Sequence, residues 1–156
     1  MNCNIILENI NRECKNLAGI KSIKIGYRDD VTITLNDDIC TVSGRLLEYY
    51  TNPQTSYFTF TKDTDNHFYR NEITLQFASI TSQNIIEIKK LLDADCVIVV
   101  TTNDNISFLL GKDNPVKLET LNINSGTSYG DFNGTKLSFI DVSKEHPYLT
   151  IFENEL

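Results

Sequence analysis

The sequence predicts a mainly β domain with one α-helix, and three observations carry that expectation. Ile, Val, Thr, Tyr and Phe recur in short runs that alternate with polar residues, the period-two pattern of half-buried strands. Clusters of Asn, Asp, Gly and Pro separate these runs at the spacing typical of sandwiches and barrels. A convincing helical period lies in residues 82–93. With 156 residues, 40% hydrophobic and 22% charged, the chain is long enough for one domain, residues 1–156, with a substantial core.

Residues 4–17 fit either a short helix or an ordered arm, because Ile5, Ile6, Ile10 and Leu17 suit both; residues 1–17 are the candidate arm. Ala18-Gly19 marks a break. Residues 21–27 alternate Lys and Ser with Ile and Tyr, and residues 31–35 alternate again after the turn Arg28-Asp29-Asp30. Asn36-Asp37-Asp38 turns the chain back along residues 39–43, which makes a hairpin. Gly44 interrupts, and residues 46–50 are a further candidate strand. Thr51-Asn52-Pro53-Gln54 is a loop by composition. Residues 57–61 and 68–79 flank a polar tip at 62–66 as a long hairpin, with Ile73, Leu75 and Phe77 in strict alternation.

The helix follows, and the rest of the chain is expected to pack around it and the strand after it. Ser82 is the expected N-cap, since its hydroxyl can accept from a backbone N–H two or three residues on. Ile85, Ile88 and Leu92 recur at helical spacing, Ile86 and Leu91 widen the stripe, and Glu87, Lys89, Lys90 and Asp93 lie towards the other side. Cys96-Val97-Ile98-Val99-Val100 is β-branched and too short for a buried helix, hence a core strand. Asn103-Asp104-Asn105 supplies the turn to its partner, residues 106–110. After a loop at 111–115, residues 116–123 are a strand with a bulge, because the alternation of Val116, Leu118, Leu121 and Ile123 slips by one. A Gly-rich loop spans 125–134 and ends in Asn133-Gly134, a strong type I′ turn signal. Residues 136–142, with Leu137, Phe139 and Asp141 on one face, and residues 148–152 bring the total to about ten strands. Residues 153–155 fray.

A net charge of −7 and a pI of about 4.7 disfavour tight binding to a phosphate backbone, which needs clustered Lys and Arg. They leave room for a surface that DNA slides past without sticking. The N-terminus lacks the basic and long apolar regions of a signal peptide, and no apolar run approaches the roughly 20 residues of a membrane span. The expectation is a chain made inside the cell, with reduced thiols and no membrane anchoring.

Few residues suggest chemistry. Gly126-Thr127-Ser128-Tyr129-Gly130-Asp131-Phe132-Asn133-Gly134 could offer backbone N–H groups to a phosphate. But no helix follows, no Lys-Ser or Lys-Thr closes a phosphate loop, and Asp131 would repel an anion. It reads as a structured hairpin loop. His67 beside Asp65, and His146 beside Glu145, could be acid–base couples but read as solvated loop histidines. Asp37-Asp38 and Asp63-Thr64-Asp65 could hold calcium weakly; without EF-hand spacing they read as turn residues. Of the four cysteines, Cys3, Cys14, Cys40 and Cys96, none forms a C-x-x-C pair and none has a histidine near it in sequence, so no zinc site is expected. Cys96 reads as a small buried hydrophobe, and Cys3 and Cys14 could approach each other. No catalytic, cofactor-binding or metal-binding residue is assigned, and the chain is expected not to be an enzyme. Tyr49-Tyr50, Tyr57-Phe58 and Phe60 crowd a Pro loop, which fits either core packing or a protein–protein surface.

The order of segments resembles a known family. Cys14 stands shortly before Leu17-Ala18-Gly19-Ile20-Lys21-Ser22-Ile23; then come Leu91-Leu92, Asp95-Cys96-Val97-Ile98-Val99-Val100, Phe108-Leu109-Leu110-Gly111, the loop from Gly126 to Gly134, and Lys136-Leu137-Ser138-Phe139. This resembles the small tail-tube-like virion proteins of tailed phages that infect Bacteroidota, from Cys14 to Phe139, by spacing and composition and not by a catalytic signature. Residues 31–69 have no counterpart in that pattern. The resemblance implies a β-sandwich or half-barrel of the phage tail-tube type flanked by a helix. It implies copies joined edge to edge in a ring, commonly a hexamer, with rings stacked as a tube, other tail proteins as partners and DNA contacted only in passing. Residues 1–17 and 52–71 would carry contacts between rings. The competing functions are a tail terminator, connector or baseplate component of the same fold, and a soluble β-sandwich module that binds a sugar or peptide through Tyr49, Tyr50 and Tyr57.

Overall fold

The computed structural model describes residues 5–6, 9–10, 19–49, 56–78, 81–131 and 133–152. A short pair, β1 (Ile5–Ile6) and β2 (Asn9–Ile10), precedes β3 (Ile20–Tyr27), a 3-10 turn at Arg28–Asp30, β4 (Val31–Asn36), β5 (Ile39–Gly44) and β6 (Leu47–Tyr49). Next come β7 (Tyr57–Asp63), β8 (Phe68–Ala78), the helix α1 (Ser82–Leu91), β9 (Cys96–Thr102) and β10 (Ser107–Leu110). β11 (Lys117–Asn124), β12 (Gly134–Ser143) and β13 (Tyr148–Phe152) follow. The fold is mainly β with one α-helix, as the sequence pattern predicts: a β-sandwich plus a helix.

Seven strands form one sheet in the order β4-β5-β13-β10-β9-β3-β6, and four form the other in the order β11-β12-β8-β7. Pairing is antiparallel except between β13 and β5, which run parallel with Leu149 opposite Ile39. β13 also pairs with β10, so it joins the β4–β5 hairpin to the rest of its sheet.

β9 explains why the layers assemble. Cys96, Val97, Ile98, Val99 and Val100 are each at most 1% exposed, so both faces of the strand are covered. Successive side chains point to opposite faces. Cys96, Ile98 and Val100 join Ile23 and Ile25 of β3, Ile73 and Leu75 of β8, and Leu137 and Phe139 of β12 in the core between the sheets. Val97 and Val99 join Leu109 with Val31, Cys40 and Val42 in a second core. The last three belong to β4 and β5 of the same sheet, so that sheet curls over and its far hairpin covers the back of β9 and β10.

α1 is the crossover from β8 in one sheet to β9 in the other. Its N-cap is Thr81 and not Ser82: Thr81 is extended, and its Oγ1 accepts from the Asn84 backbone N–H at 3.2 Å. Ser82 already has helical geometry, so the cap falls one residue earlier than its chemistry alone implied. The buried stripe is Ile88 and Leu91, which join the inter-sheet core. Leu92 lies past the last helical residue, where its N–H tightens onto the Lys89 carbonyl, and it is 41% exposed. Ile86 is also exposed.

Most strand boundaries agree with the alternation. The two hairpins form at Asp37, with φ 54°, and His67, with φ 56°. The bulge falls between Leu118 and Thr120, where the register with β12 shifts. Val116 makes an isolated bridge to Cys96 before that strand begins. The type I′ turn at Asn133-Gly134 does not form. Gly134 is a buried strand residue opposite Asn124 on one side and Ala78 on the other, and the loop glycine with positive φ is Gly126, at 72°. Three strands converge at Gly134, which explains a glycine without a turn. The arm-or-helix alternative for residues 4–17 lies outside the described residues except for β1 and β2, which are extended. Cys3, Cys14, Tyr50, residues 51–54 and residues 153–155 also lie outside them.

The helix face gives a direct test. Ile88→Asp places an unpaired charge in the core and costs several kcal/mol. Ile86→Asp, at a side chain 53% exposed, stays within about 0.5 kcal/mol of wild type. Thermal melting of the two variants checks this, and equal shifts would overturn the assignment of the buried face.

Candidate functional site

The Gly-rich loop does not offer a phosphate site. The Asp131 carboxylate accepts from the Thr127 backbone N–H at 2.9 Å, the Thr127 hydroxyl at 2.7 Å and the Ser128 backbone N–H at 2.9 Å. The donors that could cradle an anion are occupied by the loop's own acid. Those bonds hold its pKa down to about 2, the Thr127 hydroxyl contributing most. Tyr129 stands exposed at the tip.

Asp63 plays the same part in the β7–β8 turn. Its carboxylate accepts from the Asn66 side-chain amide at 3.0 Å and from the backbone N–H groups of Asp65 and Asn66, which lowers its pKa. It is a turn residue, as its sequence context suggests. His67 is exposed in that turn with no hydrogen bond to Asp65 among the described residues. His146 Nδ1 lies 2.9 Å from the Pro147 carbonyl oxygen, and its ring sits beside Tyr69 and Tyr148. Glu145 meets the Ser143 hydroxyl through its backbone oxygen instead. The structure therefore assembles neither acid–base couple. Cys40 and Cys96 are buried free thiols. Burial, with Asp95 adding to it, pushes Cys96 up to about 11, far from a nucleophile.

The aromatic group divides. Phe58 and Phe60 stack at 4.6 Å and meet Phe108 at 5.9 and 5.3 Å, which makes them core. Tyr49 sets its ring edge on Phe77, and burial raises its pKa. Tyr57 is exposed on β7.

One cleft of about 480 Å3 lies between β6, the end of β3 and α1. Tyr27, Asp30, Arg45, Tyr49, Glu87 and Lys90 supply its polar lining, and Lys90 pairs with Glu87 at 2.8 Å. Sequence reasoning did not single out Asp30, Arg45 or Tyr27. The signal was the strand glycine Gly26, a mark of close backbone approach: a Cβ there would lie 2.6 Å from the Arg45 carbonyl oxygen. Gly44, at φ 119°, allows the matching approach on the other strand, where a Cβ would overlap the Asp30 carbonyl.

The other exposed feature is the set of strand edges. β4 and β6 close the ends of the seven-stranded sheet, and β11 and β7 those of the four-stranded sheet. Each carries an exposed large apolar side chain: Leu35, Leu47, Ile123 and Tyr57. Among the described residues no group of three or more His, Cys, Asp or Glu comes together to hold a metal, and no helix is long and apolar enough to cross a membrane.

The Asp131 anchor predicts a pH effect. A depressed pKa means that its contribution is complete above the unfolded value of about 3.9 and is lost as pH falls towards the folded value. The protection of the Thr127 and Ser128 amides, as exchange relative to the intrinsic rate at each pH, should fall in that acid window, and Asp131→Asn should lower it already at neutral pH. Unchanged exchange in the variant would overturn the anchoring role. No protein-family model, no curated protein and no solved structure matches this chain.

Proposed function

We propose that this chain is a structural virion protein of a tailed phage, of the tail-tube kind, which assembles with copies of itself into stacked rings and catalyses nothing. One observation carries the reading: among the described residues, each end of the two sheets is a strand with one partner that presents an exposed large apolar residue. Unpaired ladder groups beside apolar side chains favour pairing with another copy. Heterologous contacts of that kind close into rings when the rotation permits. The resemblance in segment order implies a ring, commonly a hexamer in that family, with other tail proteins as neighbours. The net charge of −7 suits a channel wall that DNA passes without condensing on it. The proposed place is the virion tail, and a terminator, connector or baseplate component would share these properties.

The 480 Å3 cleft favours a second reading, a β-sandwich binding module that takes a peptide or sugar against Tyr27 and Tyr49.

Assembly decides between them. Light scattering and negative-stain imaging of the purified chain should show rings or short tubes as concentration rises. Leu47→Lys combined with Ile123→Lys should abolish them, because a lysine on an edge strand opposes pairing. The melting midpoint should move little, as expected for surface positions. A chain that stays monomeric over a wide concentration range would overturn the tail-tube reading and put the binding module first.

A further inference from the structure

The inner face of the four-stranded sheet carries a polar pair at the end away from α1. Asn71 of β8 and Asp141 of β12 stand directly opposite each other, 1% and 6% exposed. Phe60 is the cross-strand neighbour of Asn71 on β7, and Gly111, Pro147 and Tyr148 line a small recess beside the pair. Asn71 Nδ2 donates to Asp141 Oδ2 at 3.3 Å. Asn71 Oδ1 and Asp141 Oδ1 then remain buried without a hydrogen-bond partner in the protein. Both are acceptors when the carboxyl is ionised, so the pair lacks a donor.

The groups around the recess do not supply one. Lys112 Nζ bonds to Asp113 at 3.1 Å and lies over the Tyr148 ring. The Ser143 hydroxyl donates to the Glu145 carbonyl, and His146 Nδ1 is turned to the Pro147 carbonyl. The Asp113 carboxylate adds a like charge. A hard divalent cation such as calcium gathers six to eight oxygens, and this pair offers two.

We infer that Asp141 is a proton-binding site between the two sheets, the proton sitting on Oδ1 and supplying the donor that Asn71 Oδ1 lacks. Desolvation raises the Asp141 pKa, the Asn71 bond opposes this, and the Asp113 charge adds to the rise. A raised carboxyl contributes its full stability below the unfolded value of about 3.9 and loses it as pH rises through the folded value. The acid form ties β8 to β12 beneath Tyr148, whereas the ionised form sets a bare charge between the sheets. This end of the sandwich therefore tightens as the Asp141 carboxyl takes up its proton and loosens as the proton leaves, whatever the chain assembles into.

NMR titration of carboxyl carbons in the full wild-type chain tests the site directly, with urea melts of wild type and Asp141→Asn from pH 4 to 8 beside it. Asp141 should titrate above an ordinary aspartate. The wild-type urea midpoint should fall relative to the variant as pH rises through that value. The variant's amide is a permanent donor in the same place and does not titrate. Titration of Asp141 at or below about 3.9 overturns the inference, and so do parallel midpoints. Stabilisation of wild type but not the variant by calcium or sodium at fixed ionic strength also overturns it, in favour of a cation site. If Asp141→Asn fails to fold, the wild-type titration decides alone.

Discussion

Both faces of β9 must be covered, and the architecture follows from how that is done. Five consecutive buried residues in one strand cannot be served by a single layer. One face takes the four-stranded sheet and the helix; the other takes the hairpin of its own sheet, folded round behind it. The curl of the seven-stranded sheet is thus forced by apolar demand at its centre. Gly111, at φ 94°, lies close against the start of β9, since a Cβ there would lie 2.7 Å from the Cys96 carbonyl.

Two of the loops, by contrast, are electrostatically self-contained. Asp63 and Asp131 spend their oxygens on their own turns, and the thiols of Cys40 and Cys96 are withdrawn into the cores. Loop acids that already accept several hydrogen bonds are poor bases and poor ligands. Among the described residues, the cleft beside α1 and the strand edges are surfaces that work through shape and backbone hydrogen bonding.

Much of the fold was legible because its cause is local. Alternation placed nearly every strand, and the slip at Leu118 located the bulge, since a one-residue change of face leaves a trace in the sequence. Errors arose where a residue answers to distant neighbours. Gly134 looks like a turn residue beside Asn133, but its position is set by Ala78, far away in sequence. Leu92 fits the helical period as well as Leu91 does; the end of the helix decides between them. The cleft was invisible because Asp30, Arg45 and Glu87 come from three separate segments. The aromatic cluster could be counted but not divided into inside and outside until Phe108 was brought against Phe58 and Phe60.

The parallel pairing of β13 with β5 has a consequence in time. Thr150 donates to the Cys40 carbonyl across 110 residues of chain, and β13 is what joins the β4–β5 hairpin to β10. During synthesis that hairpin is made early and then waits, with the apolar side chains of its inner face uncovered, until β13 arrives. Until then the large sheet exists as two fragments with facing open edges. Contacts of such long sequence separation slow folding and lengthen exposure to mispairing.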